Sequence, residues 1–372
     1  MTKQREMMDP PPAPVGGGDP LAGVRVIDFT IVMSGPMCTR TLADAGADVI
    51  KIEPPEGDMV RHRPPFQADI STYFASMNCG KRSVVLDLRS ALGRQAAREL
   101  VLEADVVVEN FRPGVMKRLG LDYESLALEN PRLIYCSISG FGQTGPMAQA
   151  PAYAPVIHAA SAIQTALLHR YRTGRGQYID VSLMDSVLGM LIYELQDAQF
   201  PAAKTRQVYQ PVRARDGWVM VAAITARNLA SLFDVIGFPE GKTDPRFSTV
   251  AEKEANWSVL LEIIESWTQQ RTAVECEETL MRAGVPCSRY RTVKEAMSDP
   301  QAKARALMKT LGEPGRSFQV ANPPYRMSEG RIEARPVLPH LGEHSEAVLS
   351  EVLGYDETRI ARMRDAGVFG EK

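Results

Sequence analysis

The chain lacks most of the features that would assign it at a glance. It has no excess of one charge: 43 lysines and arginines stand against 45 aspartates and glutamates in 372 residues, a formal net charge of -2. That balance excludes the strongly basic face of a nucleic-acid-binding protein. It has no long apolar run. Its longest uncharged stretch, residues 133–169, is broken by Gly140, Gly142, Gly145, Pro146, Pro151 and Pro155, punctuation that argues against a membrane helix. Cysteine is sparse. Cys38, Cys79, Cys136, Cys276 and Cys287 form no C-x-x-C pair and read as reduced thiols packed in the core of a cytoplasmic protein. No G-x-G-x-x-G follows the first strand, which argues against NAD or a flavin, and no G-x-S-x-G elbow is present. His158 and His169 have no second ligand at metal spacing, so no metal is expected and both read as packed or capping residues. Gly80-Lys81-Arg82-Ser83 is no P-loop, because position 75 is alanine and Arg82 separates the lysine from the serine.

What is present is an ordinary globular composition, 44% hydrophobic and 24% charged, and a length suited to about two domains. Residues 1–19, with Pro10-Pro11-Pro12 and Gly16-Gly17-Gly18 and no apolar h-region, read as a disordered tail rather than a signal peptide. Residues 24–29 form a short β-branched run. Ser34-Gly35-Pro36 opens a helix that Gly46 stops, and 47–52 is a second strand. The alternation continues with strands at 83–88, 106–108 and 133–137, a helix over 90–103, and short helices at 114–119 and 123–128. Such repetition predicts a doubly wound α/β domain with a parallel sheet. A long helix is expected over 182–199. Beyond it, a β pair around Asp216-Gly217 and helices near 228–236, 257–271 and 272–284 predict a smaller α+β domain over about 208–317. The tail is helical at 346–353 and 356–365.

One feature suggests a ligand. Asn110-Phe111-Arg112-Pro113-Gly114 directly follows a buried strand, where open α/β sheets bind ligands, and Lys117 and Arg118 lie close behind. The cluster fits either a phosphate site at a helix start or a solvated loop.

Longer motifs resolve more. Residues 21–30 (LAGVRVIDFT), 46–55 (GADVIKIEPP) with Gly57-Asp58 and Arg61, 78–88 with the pattern N-x-x-K-R-S, Val108-Glu109-Asn110-Phe111-Arg112-Pro113-Gly114, Ser139-Gly140-Phe141-Gly142, Arg172-Thr173-Gly174-Arg175-Gly176-Gln177, Gly284-Val285-Pro286-Cys287 and Leu341-Gly342-Glu343-His344 together resemble the family III CoA-transferases. These are the group of formyl-CoA:oxalate and carnitine CoA-transferases. The resemblance implies a Rossmann-like parallel-sheet large domain with a smaller α+β domain, in an interlocked homodimer. The expected divisions are a tail at 1–19, a large CoA-binding domain at 20–205, a small domain at 206–320 and a C-terminal segment at 321–372 returning to the large domain. It implies coenzyme A or acyl-CoA as substrate, held by Met33, Ser34, Leu86, Asp87, Leu88, Arg89, Asn110, Phe111, Arg112, Arg118 and Tyr153. It also implies transfer of CoA to a free organic acid through an aspartyl anhydride.

The same comparison predicts a gap. In the family, the helix matching 154–160 is followed by a linker, the nucleophilic aspartate and a second helix. Here Ala159-Ala160-Ser161-Ala162 runs directly into Ile163-Gln164-Thr165-Ala166-Leu167-Leu168-His169-Arg170. A stretch of about thirty residues, the size of a βαβ unit, is expected to be missing after Ala162, and no catalytic residue is assigned. Asp180 and Asp185 read as caps or a surface face. Ala154 and Met33 replace a glutamate and a glutamine of the oxalate-using relatives. Tyr153 replaces the histidine of the acyl-CoA racemases, which an acid–base racemisation needs. Three readings therefore stand open: CoA-transferase, non-catalytic CoA-binding remnant, and racemase or isomerase.

Overall fold

The computed structural model describes residues 18–152, 158–200, 210–312 and 316–370. Its chain divides into two compact units, residues 1–191 with 303–372, and residues 192–302.

The first unit is built on six parallel strands: β1 (Arg25–Asp28), β2 (Asp48–Glu53), β3 (Arg82–Val85), β4 (Val106–Glu109), β5 (Ile134–Ser139) and β6 (Gln177–Ser182). Their spatial order is β3-β2-β1-β4-β5-β6, the doubly wound arrangement in which the winding reverses between β1 and β4. Both faces are covered. Ile27, Ile50, Val84, Val107 and Tyr135 belong to one core, and Val26, Val49, Val106, Ile134 and Cys136 to the other. This is why these strands read as continuous apolar runs rather than alternating ones.

Helix α1 (Ser34–Asp44) follows β1, α2 (Thr72–Asn78) precedes β3, α3 (Ala91–Leu102) follows it, and α4 (Val115–Leu119) follows β4. The short α5 (Tyr123–Leu126) precedes β5, and α6 (His158–Thr173) lies between β5 and β6. The C-terminal segment runs along the free edge of β3. The Val85 N–H donates to Ser345 Oγ at 3.0 Å, the His344 N–H to the Ser83 carbonyl at 3.0 Å, and the Asp87 N–H to the Val368 carbonyl at 2.9 Å. Covering an edge in this way blocks its pairing with another chain.

Three expectations need correction. Residues 177–182, not assigned beforehand, form strand β6. Ile179 and Val181 join the core side while Tyr178 and Asp180 are exposed, the alternation of a half-covered edge strand. The helix expected over 182–199 is two, α7 (Leu183–Leu188) and α8 (Ile192–Gln199). Gly189 weakens the helix interior, and the Met190 and Leu191 N–H groups bond three residues back, to Val187 and Leu188. The division between the units falls at the same place. His158 and His169 are exposed on α6 rather than packed.

The second unit has a three-stranded antiparallel sheet with Trp218–Val221 between Val212–Arg213 and Cys287–Arg289. Helices Ala226–Ile236, Trp257–Thr268 and Ala273–Arg282 share with it a core that includes Val219, Leu232, Phe233, Leu260, Ile264 and Leu280.

Candidate functional site

Two adjoining clefts open at the carboxyl ends of the strands where the winding reverses. The first encloses 390 Å³ and is walled by the loop after β1 (Ile31 to Ser34), the loop after β4 (Asn110 to Pro113), the end of β5 (Ile138 to Gly140) and residues up to Ala152. The second encloses 420 Å³ between Ile52 to Met59, Leu86 to Arg89, Phe111 and Leu119. Ile31, Met59 and Phe111 line both. Of the predicted site residues, Met33, Ser34, Asn110, Phe111 and Arg112 meet in the first cleft, and Leu86, Asp87, Leu88 and Arg89 in the second. Arg118 lines neither; it is exposed on α4, with its guanidinium over Gly114. Tyr153 lies outside the described residues, as does Ala154.

The β1 loop is fixed by a buried charge network. Asp28, fully buried at the end of β1, accepts from the Thr30 N–H at 2.9 Å, Thr39 Oγ1 at 2.7 Å and Lys81 Nζ at 3.0 Å. Lys81 also donates to Asn78 Oδ1 at 2.7 Å. Lys51 Nζ donates to the Thr30 carbonyl at 2.6 Å and to Asp58 at 3.2 Å. Glu53 receives Arg61 through two bonds of 2.8 and 2.6 Å and Ser83 Oγ at 2.7 Å, and Arg61 lies over the Phe74 ring at 3.8 Å. Burial alone would push the Asp28 and Glu53 carboxyls up. Lys81 and Lys51 for Asp28, and Arg61 and Lys51 for Glu53, outweigh it and hold both below the ordinary range. The N-x-x-K-R-S positions are therefore scaffold behind the clefts, while Ile52, Glu53, Gly57 and Asp58 of K-I-E…G-D both brace the β1 loop and line the second cleft.

The network holds a strained backbone. Val32, a β-branched residue in the cleft wall, has φ 68, a conformation that persists only where the surroundings impose it. Its N–H points at the Asp58 carboxylate, 3.3 Å away. Gly35 is required beside it, since a Cβ there would sit 2.3 Å from Thr30.

Across the reversal point, Asn110 clamps the two loops. Its Oδ1 accepts the Ile31 N–H at 2.8 Å and its Nδ2 donates to the Ile31 carbonyl at 2.8 Å. The amide is thus engaged with backbone, and the residue sets the spacing of the walls. Gly114, with φ 85, turns the chain into α4. Arg112, Lys117 and Arg118 make no ion pair among the described residues, so this rim is positive and open to an anion. Arg89 is paired with Asp87 at 2.9 Å. The first-turn N–H groups of α1 start at the first cleft with no side-chain cap from Met33.

Two site features escaped sequence reasoning. Ser139 lines the first cleft with a buried hydroxyl that has no partner among the described residues; it stands in the Ser139-Gly140-Phe141-Gly142 motif, which by itself assigns it no site role. Glu109, at the end of β4, is buried, and burial pushes its carboxyl up to about 7. Neither Asp180 nor Asp185 caps a helix, but both are exposed, Asp185 on the surface face of α7. Asp180 stands on edge strand β6 and accepts the Gln143 N–H at 2.9 Å, while Asp185 lies inside α7, whose cap is Ser182. Among the described residues, no group of three or more His, Cys, Asp or Glu is placed to hold a metal, and no helix is long and apolar enough to cross a membrane.

The chain matches CoA-transferase family III over residues 21–161 and again over 155–345. It is 37% identical to an acetyl-CoA:oxalate CoA-transferase of Acetobacter aceti over 374 residues, covering 89% of this chain and 95% of that protein. It is 34% identical to a succinate–glutarate CoA-transferase of Agrobacterium fabrum, covering 91% and 97%. A CaiB/BaiF family protein from Brucella suis has the same fold, with a TM-score of 0.77 at 33% identity over 90% of this chain and 99% of that one. The 374-residue alignment is longer than the whole 372-residue chain although it takes in only part of it, so the relative carries residues within it that have no counterpart here. The two family matches meet at 155–161, between β5 and β6. On these grounds the chain belongs to CoA-transferase family III.

Proposed function

We propose that this protein binds a CoA thioester across the two clefts of its first unit and moves CoA between that thioester and a free carboxylic acid. One observation carries the reading: Arg112, which makes no ion pair among the described residues, lines a cleft formed at the sheet's winding reversal, with Arg118 close behind it on α4, in a chain of this family. In this reading, Arg112 and Arg118 take the CoA phosphates. Leu86, Asp87, Leu88 and Arg89 wall the second cleft and Met33, Ser34 and Phe111 the first; Tyr153 enters the proposal through the family resemblance alone. Asn110 keeps the walls apart. The paired carboxylates Asp28, Glu53 and Asp58 keep the β1 loop in its strained form, so that first-turn N–H groups of α1 face developing negative charge on a thioester oxygen. The relatives' names point to small mono- and dicarboxylic acids. Met33 and Ala154, replacing polar residues of the oxalate-using relatives, argue for an acid other than oxalate, and Tyr153 argues against racemisation. A homodimer in the cytoplasm, with its five thiols reduced, completes the proposal.

A second reading, CoA binding without turnover, is favoured by the make-up of the first cleft. None of its described lining residues is a carboxylate, and the adjacent Tyr153-Ala154-Pro155-Val156-Ile157 contains none. The family resemblance puts the nucleophilic aspartate in a stretch expected to be missing after Ala162, near the overlap of the two family matches at 155–161, and α6 runs on through that point as a single 16-residue helix.

One experiment separates the two. The purified protein is incubated with acetyl-, succinyl- and formyl-CoA, each with oxalate, glutarate or succinate, and with hydroxylamine. New thioesters and protein hydroxamates are followed by mass spectrometry. Transfer, with or without a trapped carboxylate, supports the first reading. Bound CoA with neither product nor adduct supports the second, and no CoA binding contradicts both.

A further inference from the structure

The carboxylates buried in the first unit are of two kinds. Asp28, Asp44, Glu53 and Asp58 each face a lysine or arginine. Glu109 is only 5% exposed and forms no ion pair among the described residues. Register places Glu109, Ser137 and Asp180 in one row across β4, β5 and β6, with Val107, Tyr135 and Tyr178 in the row two residues earlier on the same face. The groups facing Glu109 are therefore the Ser137 hydroxyl and Tyr135 from β5, Asp180 and Tyr178 from β6, and the Phe111 N–H from its own loop. None of them is cationic. Glu109 Oε2 accepts that N–H at 2.8 Å. Phe111 belongs to the segment that walls both clefts, and Arg112 follows it.

We propose that Glu109 is a positioning residue for the clefts: its ionised carboxylate holds the Phe111–Arg112 segment through the Phe111 N–H, and its protonated form holds that segment less firmly. The physical basis is the difference between a charge-assisted and a neutral hydrogen bond. Burial and the Asp180 charge favour the neutral acid, while the Ser137 and Phe111 bonds favour the carboxylate, so the proton is poised between the two states. The proposal rests on the CoA-binding reading for its functional consequence only.

The test uses the full chain and two readouts. CoA affinity is measured by calorimetry between about pH 6 and about pH 8, and the Phe111 amide shift is followed by NMR without ligand over the same range. For the unmodified protein, affinity is expected to drop about fivefold on acidification, and the Phe111 amide to titrate with a midpoint of about 7. Glu109→Gln, which keeps the shape without the charge, should flatten both profiles, and Glu109→Asp should restore a titration. Identical profiles for Glu109→Gln and the unmodified protein, or a Phe111 amide that does not titrate, would overturn the proposal. A Phe111 titration abolished by Glu109→Gln in a protein that never binds CoA would leave the positioning role standing and remove the CoA reading.

Discussion

The two halves of the central sheet treat their charges differently. On the β3-β2-β1 side, Asp28 meets Lys81, Asp58 meets Lys51 and Glu53 meets Arg61, all within 3.2 Å. On the β4-β5-β6 side, among the described residues, Glu109 meets no cation and the buried Ser139 hydroxyl has no partner, while Asp180 is exposed on an edge strand. The strand-end carboxylates of the first half are each paired with a cation, which fits their holding a strained loop such as the one at Val32. The second half carries the polar groups left for a ligand or a missing neighbour to satisfy. The junction between the two family matches falls on that side, between β5 and β6.

Substitutions can break or sharpen this contrast. The largest effect is expected on the paired side. Lys81→Met leaves Asp28 buried without its partner and should cost about 3–5 kcal/mol in urea unfolding, whereas the double change with Asp28→Asn should cost much less. A small loss in the single variant would show that the network is not what holds this half.

The unpaired side should respond in the opposite sense. The Glu109 carboxyl is raised in the folded state, to about 7. Folding therefore favours its proton, and its ionisation removes stability as pH rises from the ordinary carboxyl range through about 7. Glu109→Gln should be more stable than the unmodified protein above pH 7, by about 2–3 kcal/mol, and should lose that advantage near pH 5. Melting curves across this range would detect it.

Smaller effects should separate binding from stability. Arg112→Ala should weaken CoA binding about tenfold and leave the melting temperature unchanged, since Arg112 makes no ion pair among the described residues. Asp180→Asn should change stability by less than about 0.5 kcal/mol, as befits an exposed edge residue, while shifting the Glu109 midpoint downward because one facing negative charge is gone.

Much of the first half was legible in sequence because its strands are buried on both faces and its turns carry decisive residues. Gly46 ends α1, and Ser34-Gly35-Pro36 starts it. The strand-end rule pointed only to residues 110–114; the grouping of Met33 and Ser34 with Asn110 and Arg112 came from the family resemblance. Strand β6 was missed because only Ile179 and Val181 face the core, too short an alternation to stand out beside the polar Gln177 and Asp180. The break at Gly189 was missed because Leu188 and Leu191 keep an apolar pattern across it. The roles of Lys51, Glu53, Lys81 and Glu109 could not be read from sequence. Residues up to 53 positions apart, as Asp28 and Lys81 are, meet only once the parallel register is set.

If the clefts on either side of Phe111 hold CoA through the cationic rim, a calorimetric titration of CoA into the unmodified protein and into Arg112→Ala, at low and moderate salt, will show it. Binding to the unmodified protein should be saturable, weakened by salt and reduced about tenfold in Arg112→Ala. Absence of binding to a cooperatively folded unmodified protein, or equal affinity in Arg112→Ala, would contradict it.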